Sequence, residues 1–166
     1  MNTWKITAID ESSKLWVYTI SPKLSAVQEV ELLKDLDYFC EHWTAHNKEL
    51  KAFYKIIHGT ILILGVDEHL NSASGCSIDK SVHFLEEIEK KYNISLFNRM
   101  LFNVVNDQQE IKTYSKKEFE QLLENNSIKP DSKVINTLAT QVKTWNEQGV
   151  QLFSQSWMSN FFGIRV

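Results

Sequence analysis

The chain has 166 residues, 43% of them hydrophobic and 23% charged, which is enough apolar material for the core of one domain and too little length for two large ones. Eighteen Lys and Arg against 21 Asp and Glu leave a formal charge of -3, and the lysines are scattered rather than striped, so no nucleic-acid partner is expected. Two cysteines, Cys40 and Cys76, cannot build a disulfide scaffold, and the opening MNTWKITAIDESS lacks the charged-then-apolar order of a signal peptide. The longest strongly apolar run, residues 61–66, falls far short of the roughly 20 residues that cross a bilayer, so the expectation is a cytoplasmic protein without membrane insertion.

In chain order, LWVYTI (15–20) is rich in β-formers and is stopped by Ser21-Pro22, which predicts a strand. From Ser25, Val27, Val30, Leu33, Leu36 and Phe39 or Cys40 recur every three to four residues as far as Trp43, predicting an amphipathic helix with these positions inward. LKAFYKII (50–57) and TILILGVD (60–67) are separated only by His58-Gly59, which suits a tight hairpin, and the second strand is apolar on both faces as a central strand must be. After SGCS (74–77), Ile78, Val82, Leu85, Ile88 and Tyr92 step at helical spacing; RMLFNVV (99–105) reads as another strand. Strand, helix, strand, strand, helix, strand is the ferredoxin-like split βαββαβ order, an α+β core over residues 1–107 with expected sheet order 4-1-3-2 and both helices on one face.

Residues 108–166 read as an extension packed on that core. EIKTYS (110–115) predicts a strand, and Ser115 with Glu118 forms a capping box opening a helix through Phe119, Leu122 and Leu123. SIKPDSK (127–133) breaks it, and residues 133–142 read as a short strand followed by irregular chain, although Val134, Leu138, Val142 and Trp145 also fall at helical spacing. Trp145, Phe153, Trp157, Phe161 and Phe162 predict a core or docking seam.

In this topology the end of the first helix meets the start of the second. That brings Cys40, His42, Trp43 and His46 towards Ser74, Gly75, Cys76, Ser77 and Asp79. First-turn amides and the positive end of a helix dipole favour an anion and depress a thiol pKa, with His46 placed to act as base. Trp43, Ser74, Gly75, Ser77 and Asp79 are the candidate ligand contacts; Cys76 and His46 are the candidate catalytic pair. The same residues also read as an ordinary helix start, with Ser74 or Ser77 capping, Gly75 permissive and Cys76 packed. His42 and His46, four apart, could share a helix face for metal with Asp67, His69 or Cys76 completing the shell, but the spacings match no standard zinc signature, so no metal and no cofactor are expected.

At HWTAHNKELKAFYKI, ILGVDEH, SGCSIDKSVHFLEEIE, LFNRM and SWMSNFF, the chain resembles a family of short cytoplasmic proteins from Bacteroidota commonly labelled "ABC transporter ATPase". Asn47 departs from the glycine usual there. The resemblance brings no activity with it, and the label has no support in the residues: no G-x-x-x-x-G-K-[ST] loop is present, and the five glycines are dispersed, so ATP hydrolysis is not expected. FEQLLENNSIKPDSKV (119–134) also resembles the helix-turn-strand of small GYF-type peptide-binding modules. The function expected is a non-catalytic binding or accessory protein whose pocket near Cys76 takes a small anion or a peptide or protein segment. The alternatives are a thiol-dependent enzyme using Cys76 and His46, and a scaffold using the C-terminal aromatic surface.

Overall fold

Alternation along the strands organises the molecule, because successive side chains point to opposite faces of a sheet. In the computed structural model, which describes residues 4–164, β1 (Lys14–Thr19) pairs antiparallel with β5 (Ile61–Asp67), and β5 pairs antiparallel with β4 (Lys51–Ile57). The order is β1-β5-β4, with every residue of the central strand buried. Leu15, Val17, Ile57, Ile61 and Ile63 enter one core; Tyr18, Ile20, Leu62, Leu64 and Val66 enter another. The β4–β5 turn closes through Thr60 N–H donating to the Ile57 carbonyl at 3.0 Å, with His58 and Gly59 at φ 52° and 63°.

Two helices cover the second of these cores, both on the same face. Helix α1 (Ala26–His42) contributes Leu32 and Leu36, and α2 (Gly75–Tyr92) contributes Leu85, Ile88 and Tyr92. Each begins at a serine whose hydroxyl accepts from the third helical amide while that residue's side chain accepts from the serine's own amide, Ser25 with Gln28 and Ser74 with Ser77. The expected inward face of α1 needs correction at its start: Val27 and Val30 are 75% and 54% exposed. Residues two apart on a helix are separated by about 200°, so once Leu32 and Leu36 face the sheet, Val30 faces away from it.

The larger correction concerns the strand expected beside β1. The strand β6 (Leu101–Val105) belongs instead to a second antiparallel sheet, order β7-β6-β8-β9, with β7 (Ile111–Ser115), β8 (Lys133–Ile135) and β9 (Val150–Leu152). A single four-stranded 4-1-3-2 sheet is therefore not formed; the 1-3-2 part of the order is present and the fourth strand is elsewhere. The open side of β1 is occupied by other groups: Leu15 N–H donates to the Thr140 carbonyl at 3.0 Å, Lys14 bridges to Gln141, and Arg99 Nη1 donates to the Val17 carbonyl at 3.3 Å. Buried Asn103 of β6 reaches across with Nδ2 donating to Thr19 Oγ1 at 2.8 Å, while its Oδ1 accepts from Thr113 at 2.7 Å. Hydrogen bonding from β6 to β7 and β8 also crosses the boundary expected near residue 107.

The two sheets face one another across Leu15, Val17, Ile61 and Ile63 on one side and Val105 and Ile135 on the other, joined by Val142 and Trp145. Trp145 is carried by α4 (Val142–Gln148), so the ambiguous stretch from 133 holds a strand, a short irregular link and then a helix. The outer face of the second sheet, Phe102 and Val134, is covered by Phe119 of α3 (Lys116–Glu124) and by Phe153 and Met158, the latter from α5 (Trp157–Phe161). The layers therefore run helix, sheet, sheet, helix, an α+β architecture. The C-terminal aromatics expected as a core or docking seam are largely core: Phe153 and Trp145 are 1% and 2% exposed, whereas Phe161 is 44% exposed. Among the described residues no helix is long and apolar enough to cross a membrane.

Candidate functional site

The start of α2 comes together with the end of α1 as the topology required. Buried Trp43, the C-cap of α1, donates its indole N–H to the Ser77 carbonyl at 2.8 Å, although 34 positions separate them. After Trp43 the chain makes a small hairpin, β2 (Thr44–Ala45) and β3 (Lys48–Glu49). Its two turn residues, His46 and Asn47, have φ of 51° and 63°, the left-handed geometry of a two-residue hairpin turn in which Asn is tolerated in place of Gly. His42 and His46 thus do not share a helix face: α1 ends at His42, whose ring stacks on Tyr38, and His46 occupies a turn tip.

Capping occupies much of the polar equipment at this helix start. The Ser74 and Ser77 amides bond the two serine hydroxyls at 2.7 and 3.2 Å, and Ile78 N–H donates to the Ser74 carbonyl at 2.9 Å. Gly75, Cys76 and Asp79 are exposed, and a Cβ built on Gly75 would meet no atom within 4 Å. Among the described residues, no hydrogen bond links the Cys76 thiol to His46.

The two thiols differ sharply in environment. Cys40 is half-buried, and burial, with the Asp37 carboxylate adding to it, pushes its pKa up to about 12, whereas Cys76 is exposed. Iodoacetamide at neutral pH is therefore expected to label Cys76 first and to leave Cys40 unmodified until the protein unfolds, a difference that peptide mapping resolves.

A second polar group lies where β5 ends. Asp67 Oδ1 is 2.6 Å from His69 Nδ1, Asp67 Oδ2 is 3.1 Å from Lys51 Nζ, and His69 Nε2 is 3.9 Å from Asp10. Hydrogen bonds from the His69 ring and then its backbone amide, reinforced by Lys51, hold the Asp67 carboxyl at about 2, while the Asp67 hydrogen bond and then Asp10 raise His69. The raised histidine stabilises the fold below its ordinary value near 6.5 and loses that contribution as pH rises through its folded value. The depressed aspartate contributes above about 4 and loses it as pH falls towards 2. An NMR titration should find His69 raised, and Asp67→Asn should lower it, leaving the contribution of Asp10. Among the described residues no group of three or more His, Cys, Asp or Glu side chains is arranged to hold a metal ion.

A concavity lies elsewhere among the described residues. A cleft of about 840 Å³ is lined by Trp4, Lys5, Gln109, Lys133, residues 145–152 and Gln155. None of Trp43, His46, Ser74, Gly75, Cys76, Ser77 and Asp79 belongs to it. Its walls are α4 and β9, and its rim is the amino-terminal segment, held in place by two side chains of α4. Trp145 Nε1 donates to the Trp4 carbonyl at 2.7 Å, and Asn146 accepts from Ile6 N–H at 2.8 Å and donates to the Ile6 carbonyl at 3.0 Å. The Asn146 amide thereby imitates a neighbouring strand. Lys5 and Lys133 outnumber Glu147, and Gln109, Gln148, Gln151 and Gln155 supply side-chain amides that both donate and accept.

Sequence reasoning missed this cleft because glutamines at 148, 151 and 155 carry no motif, and their meeting with Lys5 and Trp4 depends on contacts spanning about 140 residues. The one available signal was the density of glutamine in NEQGVQLFSQ (146–155). Comparison of the chain with models of known families, with curated proteins and with solved structures finds no match.

Proposed function

We propose that this protein is a non-catalytic binding protein that holds a peptide segment of a partner in the cleft between α4, β9 and the amino-terminal segment. The observation that carries the reading is the lining: amide side chains able to pair with peptide groups of either polarity, two lysines and two tryptophans around about 840 Å³. The expected binding or accessory role is retained, and its place moves from Cys76 to this cleft. The reading is favoured over a thiol enzyme built on Cys76 and His46 because neither residue lines this cleft. A cytoplasmic setting and kinship with the short Bacteroidota proteins rest on the residues quoted above, and nucleotide hydrolysis forms no part of the proposal.

The test is selection from a displayed random library of 12-residue peptides, followed by affinity measurement against the natural chain and the double variant Lys5→Glu/Lys133→Glu. Recovered peptides should be enriched in Asp and Glu and bind the double variant at least about tenfold more weakly, the size expected for losing a charge-assisted contact. Failure to recover any peptide whose binding depends on cleft residues would overturn the proposal.

A further inference from the structure

Among the described residues, strand β9 is the last strand of its sheet, with β8 on one side and no strand on the other. The ladder shows which of its backbone groups are committed. Asn136 N–H donates to the Gly149 carbonyl at 2.8 Å and Phe153 N–H donates to the Ser132 carbonyl at 2.7 Å, while the register pairs Ile135 with Val150, Val134 with Gln151 and Lys133 with Leu152. Bonded and non-bonded pairs alternate in an antiparallel ladder. The Gly149 carbonyl, both backbone groups of Gln151 and the Phe153 amide therefore face β8, while Val150 and Leu152 turn their amides and carbonyls outward. Both of these residues line the cleft.

Resting on the peptide-binding reading above, we propose that an extended peptide segment bearing acidic side chains adds to β9 as a further strand. Its backbone pairs with Val150 and Leu152, and its carboxylates lie near Lys5 and Lys133. Donor and acceptor alternate along an extended chain at the same two-residue spacing, about 6.8 Å, that separates Val150 from Leu152. The charge fits one occupant better than another. A second copy pairing edge to edge would bring both sets of Lys5 and Lys133 into one region, whereas an acidic segment neutralises them.

Leu152→Pro tests the inference with little disturbance of the fold. Leu152 has φ of -67°, the angle that a proline ring imposes, and its outward N–H is absent from the β8 ladder, so proline removes only the donor offered to the added strand. The probe is the tightest peptide recovered from the 12-residue library. Its affinity should fall at least about tenfold for Leu152→Pro and by clearly less for Leu152→Val, which trims the side chain but keeps the N–H. N-methylation of the probe residue by residue should abolish binding at alternate positions only, a readout that holds even if the proline variant folds poorly.

If Lys5→Glu/Lys133→Glu weakens binding while Leu152→Pro and every N-methylated probe bind normally, strand addition is overturned and the peptide-binding reading survives. If no peptide depends on the cleft, both fall. A peptide-free dimer in the natural chain that Leu152→Pro dissociates would assign the edge to a second copy and overturn the proposal.

Discussion

Gly65→Ala is expected to lower stability by about 3 kcal/mol, the upper part of the range for an overfilled core, and the unfolding midpoint by roughly 6–12 °C for a chain of this size. Gly65 lies at the middle of the sheet in β5 and directly opposite Phe53 of β4. The Phe53 ring folds over the glycine: a Cβ there would lie 2.1 Å from Phe53 Cζ and 2.5 and 2.7 Å from the two Cε atoms. The strand cannot yield, since its flanking residues Leu64 and Val66 are fully buried in the opposite core, so the ring has to leave its place. Phe53→Leu should therefore restore most of the loss when combined with Gly65→Ala, although it removes apolar area by itself. Urea unfolding of the four proteins in this cycle measures the coupling. Additive effects would show that the ring is not what excludes the methyl group.

Trp43→Ala should cost about 3–5 kcal/mol, the range for deleting a buried aromatic side chain. The indole is 2% exposed, packs on Trp16 and Phe39 with ring centroids 6.2 and 5.1 Å away, and donates to the Ser77 carbonyl. Trp43→Phe keeps most of the packing and loses the hydrogen bond, so it should cost nearer 1–2 kcal/mol. Denaturant titrations of both variants check the ranking. Equal losses would mean that the indole bond to α2 sets the cost and that the packing retained by Phe adds nothing, whereas no loss for Trp43→Phe would mean that packing alone sets it. The same geometry explains why Trp43, expected among the ligand contacts, acts as a fastener: its polar atom is already bonded to the helix whose start it was expected to help form into a pocket.

The elements whose causes are local were legible without coordinates. The beginning of α3 was read from the capping box of Ser115 with Glu118, and α1 and α2 start by the same local exchange at Ser25 with Gln28 and Ser74 with Ser77. The β4–β5 hairpin follows from His58-Gly59, and the central place of β5 from its two-sided apolarity. The meeting of Trp43 with the start of α2 also followed, since it needed only the helix order and the split arrangement of three strands.

What the tertiary structure alone decided is which edge each strand joins and where the molecule is concave. A strand edge offers the same amides and carbonyls to any partner, so nothing in RMLFNVV says whether β6 lies beside β1 or between β7 and β8. That choice turns on side chains far apart in the chain, such as Asn103 meeting both Thr19 and Thr113 in a buried setting where each polar atom has to be paired. The cleft has the same origin. Val150 and Leu152 turn their backbone groups outward because β8 takes the opposite side of β9, and Lys5 shares their cleft because Trp145 and Asn146 hold a segment about 140 residues away. Periodicity reports which way a side chain points relative to its own backbone; which surface it then meets is a property of the assembled layers.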